Sequence, residues 1–322
     1  MAQLRKPLAL LAVAALALLA GCSGTPDASA PAESEGSGLT VGPPDADTVV
    51  EIETVDGLFD KLPDAIKDRG KLVVGVEANA GLPNSVSTPE GELRGLIVDT
   101  AYALGKTIGI DVELAPTTFD QIIPGLEAGR YDLGTNTFSV TEERLQAVDF
   151  VNHLVGVRAV LLVQADNDEY AGKLTVTDAC GLSVGVNKGG VQVLELEKAS
   201  AQCVEEGKEP IDIQLFPSNP EAVLAVKSGR TDASIFQYTQ TMTYASEDAS
   251  LAAGGLIPGI TSYVGMALPK GSEAQDVIRE AMLVLYDSGV WMQILKLYSI
   301  EDQAPTEEVI LATGLYVPED DG

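Results

Sequence analysis

The sequence predicts an α/β fold made of two similar lobes. The motif Gly-Arg-x-Asp occurs twice, at 129–132 and 229–232, and in both copies a helical pattern precedes it and a short β-rich run follows it. Similar β-rich runs at 71–76 and 182–186, each followed by a polar loop with glycine, open the two halves. Alternating strands and helices are typical of mostly parallel sheets with helices on both faces.

Helices are predicted where apolar residues recur every three or four positions. Gly129 and Gly229 suit the left-handed position that ends a helix. The last two helices have no counterpart in the second half, so the C-terminal part is expected to return to the first lobe. The predicted helices cover 95–109, 118–128, 191–204, 219–227, 274–286 and 290–297, and short strands are predicted at 133–135, 233–236 and 263–268.

The first 21 residues are typical of an export signal. Arg5 and Lys6 precede an apolar run over 8–20 that is too short for a permanent membrane span. Small residues directly before Cys22 resemble a bacterial lipobox, which implies a lipid on Cys22 and a mature N-terminus there; cleavage without lipidation is the alternative. Residues 22–54 are expected to form a disordered tether, because 23–47 is rich in Ser, Gly, Pro, Ala, Asp and Glu.

Charge and cysteines narrow the class of protein further. The formal net charge of −28 disfavours binding to nucleic acids and anionic lipid surfaces. In an oxidising compartment, Cys180 and Cys203 favour a disulfide from the start of a strand to the end of the following helix; free thiols are the alternative. A metal site is not expected, because His153 is the single histidine and no cysteine pair has ligand spacing.

An ordered series of segments resembles the polar amino-acid solute-binding proteins of ABC importers. The central segment, Ser-Val-Thr-Glu-Glu-Arg at 139–144, lies between 132–138 and Val-Asp-Phe at 148–150; further segments lie at 91–99, 129–132, 229–232, 265–271 and 287–289. The resemblance covers about 58–300. It implies a bilobal periplasmic-binding-protein-like fold with hinge crossings near 155–158 and 260–263, lobe 1 formed by 55–156 plus 262–317, and lobe 2 by 157–261.

The resemblance also implies where a ligand binds. Arg144 would bind the α-carboxylate, since a guanidinium forms two charge-assisted bonds to it; a solvated arginine is the alternative. Thr137 and Ser139 would add hydroxyl or backbone groups, although each could instead be a cap or strand-end residue. Gly190 and Val191 occupy the helix N-terminal turn whose N–H groups bind the second carboxylate oxygen, here without a hydroxyl.

Two departures from the family pattern concern the ligand's amine. Gln237 stands where the family has an aspartate for the ammonium, and a neutral amide does not neutralise a buried cation. The first loop, which contains Glu77 and Asn79, lacks the family's aromatic residue; Phe138 would supply a wall or belong to the core. The hypotheses are a ligand with an unusual or shielded amine, or a counter-charge supplied by Glu77.

The sequence therefore predicts a binding protein and no enzyme. It would be a monomer, lipid-anchored at the outer face of the cell membrane, that captures a small carboxylate-bearing solute, an amino acid or derivative, and delivers it to an ABC permease without a cofactor. One alternative is a ligand-sensing or partner-binding lipoprotein on the same fold. Another is a dehydratase-like enzyme with Glu77 as acid, for which the sequence offers no carboxylate pair.

Overall fold

The computed structural model describes residues 38–44, 48–157, 159–256 and 260–315. The strands are β1 (Gly38–Val41), β2 (Thr48–Glu51), β3 (Lys71–Glu77), β4 (Val86–Ser87), β5 (Leu93–Arg94), β6 (Asp111–Thr117), β7 (Leu133–Ser139), β8 (Val148–Val157), β9 (Val160–Gln164), β10 (Ser183–Asn187), β11 (Asp212–Phe216), β12 (Ala233–Phe236), β13 (Leu251–Ala253) and β14 (Ile260–Pro269). The helices are α1 (Asp64–Arg69), α2 (Leu96–Ile108), α3 (Phe119–Glu127), α4 (Glu142–Ala147), α5 (Gln192–Glu205), α6 (Asn219–Lys227), α7 (Tyr238–Glu247), α8 (Gln275–Asp287), α9 (Val290–Leu297) and α10 (Glu307–Leu311).

Two five-stranded sheets form the centres of the two lobes. Lobe 1 has the strand order β6-β3-β7-β14-β8, and lobe 2 has the order β11-β10-β12-β9-β13. In each sheet three strands are parallel, as predicted. The other two strands arise from the connections between the lobes, and β14 and β9 run antiparallel to their neighbours. The predicted bilobal α/β fold is confirmed, with mixed rather than mostly parallel sheets.

The chain passes between the sheets twice, from β8 to β9 and from β13 to β14. The two crossings run side by side, because the last residue of β8, Val157, pairs with the first residue of β14, Ile260. Arg158, at the first predicted crossing, lies outside the described residues. The second predicted crossing, 260–263, begins where the described residues resume after the gap at 257–259. The lobe boundaries 55–156, 157–261 and 262–317 stay a prediction.

The C-terminal helices return to lobe 1. Trp291 and Ile294 of α9 are buried in the same apolar core as Leu96 and Leu104 of α2. The segment after them is fixed as well, because the Asn152 side chain on β8 donates to backbone carbonyls at the end of α10, at 3.0 Å. Lobe 1 therefore contains both ends of the described chain.

The repeated Gly-Arg-x-Asp motif has the same structural role in both lobes. Gly129 and Gly229 follow α3 and α6 with φ of +66° and +68°, a region that favours glycine. The motif's aspartates then join neighbouring strands: a carboxylate oxygen of Asp132 accepts from the Val73 N–H at 2.7 Å, and one of Asp232 accepts from the Ser183 N–H at 2.8 Å. The motif thus ends a helix and aligns two strands.

The expected tether is folded over part of its length, which corrects the prediction of disorder through residue 54. Strands β1 and β2 form an antiparallel hairpin, and Val41, Val50 and Ile52 are buried in the lobe 1 core. The composition of the segment suggested too little apolar surface to compensate for the entropy lost on ordering. The burial of these three side chains against lobe 1 provides that compensation. The export signal at 1–21 and Cys22 lie outside the described residues. Among the described helices, none has the length and apolar character needed to span a membrane.

A buried carboxylate holds the hairpin on lobe 1. One oxygen of Asp99 accepts from the Gly42 N–H and from the Tyr298 hydroxyl, both at 2.7 Å. Burial raises the pKa of Asp99 to about 6, although both hydrogen bonds oppose the shift. A carboxyl whose pKa is higher in the folded than in the unfolded state stabilises the fold at acid pH, and this contribution is lost as pH rises through the folded value.

We therefore expect Asp99→Asn to gain stability relative to the natural protein as pH rises. The difference in unfolding free energy, variant minus natural protein, should increase between about pH 4 and about pH 7, because only the natural protein loses the contribution of this group. Urea denaturation at both pH values measures it. The matched change at an exposed aspartate, Asp68→Asn, should show no such trend, and a difference that stays constant with pH would contradict the assignment.

The predicted disulfide is present in lobe 2. Cys180 precedes β10 and Cys203 lies near the end of α5, with Cα atoms 5.6 Å apart and a sequence separation of 23. We expect its removal in a Cys180→Ala/Cys203→Ala variant to lower the free energy of unfolding by about 3 kcal/mol, because the unfolded chain loses a constraint. Urea unfolding measures the change. Reductant should destabilise the natural protein and leave the double variant unaffected.

Candidate ligand-binding site

A cleft of about 40 Å³ lies between the lobes at the carboxyl ends of the central strands. This is the edge at which α/β sheets usually bind ligands. Lobe 1 contributes Glu77, Asn84, Phe119, Asn136, Thr137, Ser139 and Arg144. Lobe 2 contributes Asn187, Gly190, Val191, Gln192, Asn219, Ile235, Phe236, Gln237 and Gln240. Of the predicted ligand-binding residues, the structure brings seven together here, whereas Phe138 and Asn79 lie outside this lining.

Arg144 is held in place from three sides. Thr141 caps α4 by accepting from the Arg144 N–H at 3.3 Å, and the guanidinium donates to the carbonyl of Ser139 at 2.9 Å. It also donates to the carbonyl of Gly189 in lobe 2 at 3.0 Å. A guanidinium has five N–H donors, so these two carbonyls leave others for a ligand. Burial lowers the pKa of Arg144 to about 10, which leaves the group charged at neutral pH.

Two aromatic rings support the guanidinium. Its central carbon lies 5.5 Å from the ring centre of Phe119 and 5.4 Å from that of Phe138, within the range of cation–π contacts. Phe138 is fully buried in an apolar cluster with Phe150 and Ile122. Of the two alternatives for Phe138, the structure places it in the core behind Arg144 and not in the cleft wall. Phe119, which lines the cleft, was not identified from the sequence.

Glu77 is a buried carboxylate at the end of β3, with only 4% of its surface exposed. One oxygen accepts from the Asn136 amide of lobe 1 at 3.1 Å, and the other accepts from the Asn187 amide of lobe 2 at 3.2 Å. Burial raises its pKa, and these two hydrogen bonds only partly oppose the shift. Within the described residues Glu77 forms no ion pair, so two neutral amides are its partners. A buried, unpaired carboxylate in a cleft is a candidate functional group.

The lobe 2 wall differs in one respect from the expected anion-binding turn. The Gly190 N–H donates to the Asn187 carbonyl at 3.1 Å, and that bond closes the turn before α5. The N–H groups of Val191 and Gln192 begin the helix, where backbone donors have no carbonyl one turn earlier. These two groups are therefore better placed than Gly190 to bind an anion.

The remaining predicted residues occupy distinct positions. The Thr137 hydroxyl accepts from the Asn84 amide at 3.3 Å, and the Thr137 carbonyl accepts from the Gln237 amide of lobe 2 at 3.4 Å. Ser139 contributes its carbonyl to Arg144, as described above. Asn79 is exposed in the first loop. Thr137, Ser139 and Gln237 thus lie together in the cleft, while Asn79 lies apart.

Several side-chain donors of lobe 2 converge on one carbonyl of lobe 1. The Ala80 carbonyl accepts from the amides of Asn219 and Gln240, both at 3.1 Å, and from the Tyr244 hydroxyl at 3.5 Å. Gly81 permits this approach, because a Cβ at that position would lie 2.0 Å from the Tyr244 hydroxyl oxygen. An ion pair between Lys188 and Asp120, at 2.9 Å, also joins the lobes. Sequence reasoning missed these residues, because they come from separate segments with no common spacing.

Sequence comparison assigns most of the folded chain to one family. Residues 72–300 match the bacterial extracellular solute-binding proteins, family 3. The arginine-binding protein ArgT of Corynebacterium glutamicum is 29% identical over 268 residues, which cover 82% of this chain and 84% of that protein. A glutamine-binding protein of Geobacillus stearothermophilus is 30% identical over 230 residues, which cover 70% of this chain and 77% of the relative.

The fold also matches solved structures of solute-binding proteins. An ancestral arginine-binding protein bound to arginine superposes with a TM-score of 0.64 at 29% identity, and the match covers 71% of this chain and 98% of the other. The match over 72–300 includes strands of both central sheets and every residue of the cleft described above. The chain therefore belongs to the bacterial extracellular solute-binding proteins, family 3.

Proposed function

We propose that this protein is the solute-binding component of an ABC importer and that its ligand is a small carboxylate-bearing zwitterion, an amino acid or a derivative. The observation that supports this proposal is the pair of opposite charges in one cleft. Arg144 provides a cation and Glu77 an anion, and within the described residues neither forms an ion pair with another side chain. An unpaired charge is costly when it is removed from water, and Glu77 is buried and Arg144 half-buried, so both are suited to the charges of a ligand.

The two charges have different surroundings, which suggests which ligand group each one binds. Arg144 has carbonyl oxygens as its partners, and its remaining donors match a carboxylate. Glu77 has amide donors, and the side-chain oxygen of Asn187 beside it is buried without a hydrogen-bond partner in the described part of the chain. A cationic group of the ligand would donate both to Glu77 and to this oxygen. We therefore favour the hypothesis that Glu77 supplies a counter-charge for a cationic group of the ligand.

Closure and delivery follow from the two-lobed construction. A solute that contacts Arg144 and Glu77 on lobe 1 would also contact Asn187 and the start of α5 on lobe 2. Such a solute favours the closed arrangement, because it binds that arrangement better than the open one. In our proposal the closed form is what a membrane permease recognises. The lipobox-like sequence at Cys22 supports anchoring at the outer face of the membrane. In our proposal the protein acts as a monomer.

Native mass spectrometry of the purified protein, before and after denaturing release of bound molecules, tests this proposal. Release of a zwitterionic carboxylate, and its rebinding in calorimetry, is the expected result. Release of a ligand without a carboxylate would overturn the proposal. Stoichiometric binding without uptake in cells that also contain the cognate permease would favour a sensing role, and chemical conversion of the solute by the protein alone would favour the enzyme alternative.

A further inference from the structure

A second and larger cavity adjoins the cleft. Its volume is about 200 Å³, compared with about 40 Å³ for the cleft itself. It extends from the cleft to β8 and β14, where Leu154, Ser262 and Val264 line it. The two cavities share the lining residues Thr137, Ser139, Val191, Gln192 and Gln237. The two cavities therefore meet at a shared wall.

The boundary between the two cavities is neutral. Gln237 lines both cavities, and its amide nitrogen donates to the Thr137 carbonyl at 3.4 Å, so its amide oxygen remains available as an acceptor. The shared residues offer hydroxyls, amides and backbone groups and no charge. The second cavity does contain a carboxylate, Glu195, but that residue has an interaction partner of its own.

This distribution of charge restricts the groups on the ligand's α-carbon. With the carboxylate at Arg144, the cleft wall offers Glu77 and Gln237 to the other substituents. Glu77 neutralises one cation, whereas an amide at Gln237 does not neutralise a second. A free ammonium beside Gln237 would be a buried, unpaired cation. An acylated nitrogen is neutral and has one N–H for the Gln237 oxygen, and its acyl group needs the kind of space that the second cavity provides.

We propose that the second cavity is a subsite for the acyl group of an N-acylated amino acid whose carboxylate binds Arg144 and whose cationic side chain binds Glu77. This inference rests on the proposed function and names its substrate class. The apolar part of the cavity wall, Leu154 and Val264, matches the carbon atoms of the acyl group. The polar part, at Gln237 and Ser139, matches its amide.

Calorimetry with the full-length protein and two probes, Nα-acetyl-L-arginine and L-arginine, tests the subsite. The acetylated probe is expected to bind at least about tenfold more tightly. Ser262→Leu, which fills the second cavity from β14, should lower the affinity for the acetylated probe at least about tenfold. It should change the affinity for L-arginine by less than about twofold. The same change at an exposed serine on α7, Ser246→Leu, is the matched control and should alter neither affinity.

A charge substitution gives a second test that does not depend on cavity filling. Gln237→Glu, of the same size, places an anion beside the ligand nitrogen and should favour L-arginine over the acetylated probe, the reverse of the natural preference. Tighter binding of L-arginine to the natural protein, with equal effects of Ser262→Leu on both probes, would overturn the subsite and leave the proposed function intact. Binding of neither probe to the natural protein would overturn the subsite, whereas release of a ligand without a carboxylate in the mass-spectrometry experiment would overturn the proposed function as well.

Discussion

Replacing Arg144 with alanine is expected to weaken the binding of any carboxylate ligand about 100-fold, or roughly 3 kcal/mol. Arg144 lines the cleft, its guanidinium is fixed by the carbonyls of Ser139 and Gly189, and it has further N–H donors left for a ligand. Removal would leave a ligand carboxylate buried without a counter-charge. Calorimetric titration of the released ligand into both proteins measures the loss.

Two further variants separate binding from folding at this position. Arg144→Lys keeps the charge but not the planar fork, so its affinity should lie between those of the natural protein and Arg144→Ala. Arg130→Ala is the matched control, because Arg130 also lies over an aromatic ring, 5.6 Å from the centre of Tyr131, but outside the cleft. An Arg144→Ala protein that binds carboxylates as tightly as the Arg130→Ala protein would contradict the site assignment.

Replacing Glu77 with glutamine is expected to weaken the binding of a cationic or zwitterionic ligand by about 100-fold. The same change is expected to stabilise the ligand-free protein. Both effects have one cause. The carboxylate is buried with two amides as its only hydrogen-bond partners in the described chain, so its charge costs folding free energy and is neutralised when a cation binds. Calorimetry measures the first effect and urea denaturation the second. Glu127→Gln, an exposed change on α3, should produce neither.

The raised pKa of Glu77 also predicts how the two proteins differ with pH. As pH falls, Glu77 takes up a proton at a higher pH than an ordinary carboxyl does. The affinity for a cationic group therefore begins to decline at a higher pH than it would if an exposed carboxylate bound that group. The folded state binds this proton more readily than the unfolded state, so the stabilising contribution is present at acid pH and lost as pH rises. The stability advantage of Glu77→Gln should therefore grow with pH, and a constant advantage would rule out this explanation.

Much of the fold could be predicted, because its signals are local. The observed α6 and α9 coincide with the predicted ranges 219–227 and 290–297, and the other predicted helices end within two residues of their expected positions. Positions 129 and 229 are glycines with positive φ, as expected of helix ends. Strand length was less predictable: β14 begins at Ile260 instead of 263, because its first residues pair with β8. That pairing partner lies about a hundred residues away and leaves no local signal.

The N-terminal hairpin shows why composition misled the prediction. The segment is rich in residues typical of disorder, and its few apolar side chains suffice only because a lobe is already present to cover them. Val41 and Val50 are buried against lobe 1, and the Gly42 N–H finds its acceptor in Asp99, more than fifty residues away. A hairpin that depends on a distant surface has no signature in its own sequence.

The candidate site was predictable to the extent that it depends on charged residues in recognisable segments. Arg144 and Glu77 could be named from the sequence, and the structure places both in the cleft. The neutral amides around them could not. Asn136 and Asn187 bind the two oxygens of Glu77 from different lobes, and neither stands in a pattern that distinguishes it from an ordinary loop or strand-end residue.

The convergence of Asn219, Gln240 and Tyr244 on the Ala80 carbonyl has a consequence for the rate of exchange. These bonds hold the lobes together whichever solute is bound, so they lower the free energy that the solute itself must supply for closure. They must also break before a solute enters or leaves, which slows both association and dissociation. The bonds therefore favour long retention of a scarce solute over rapid turnover of an abundant one.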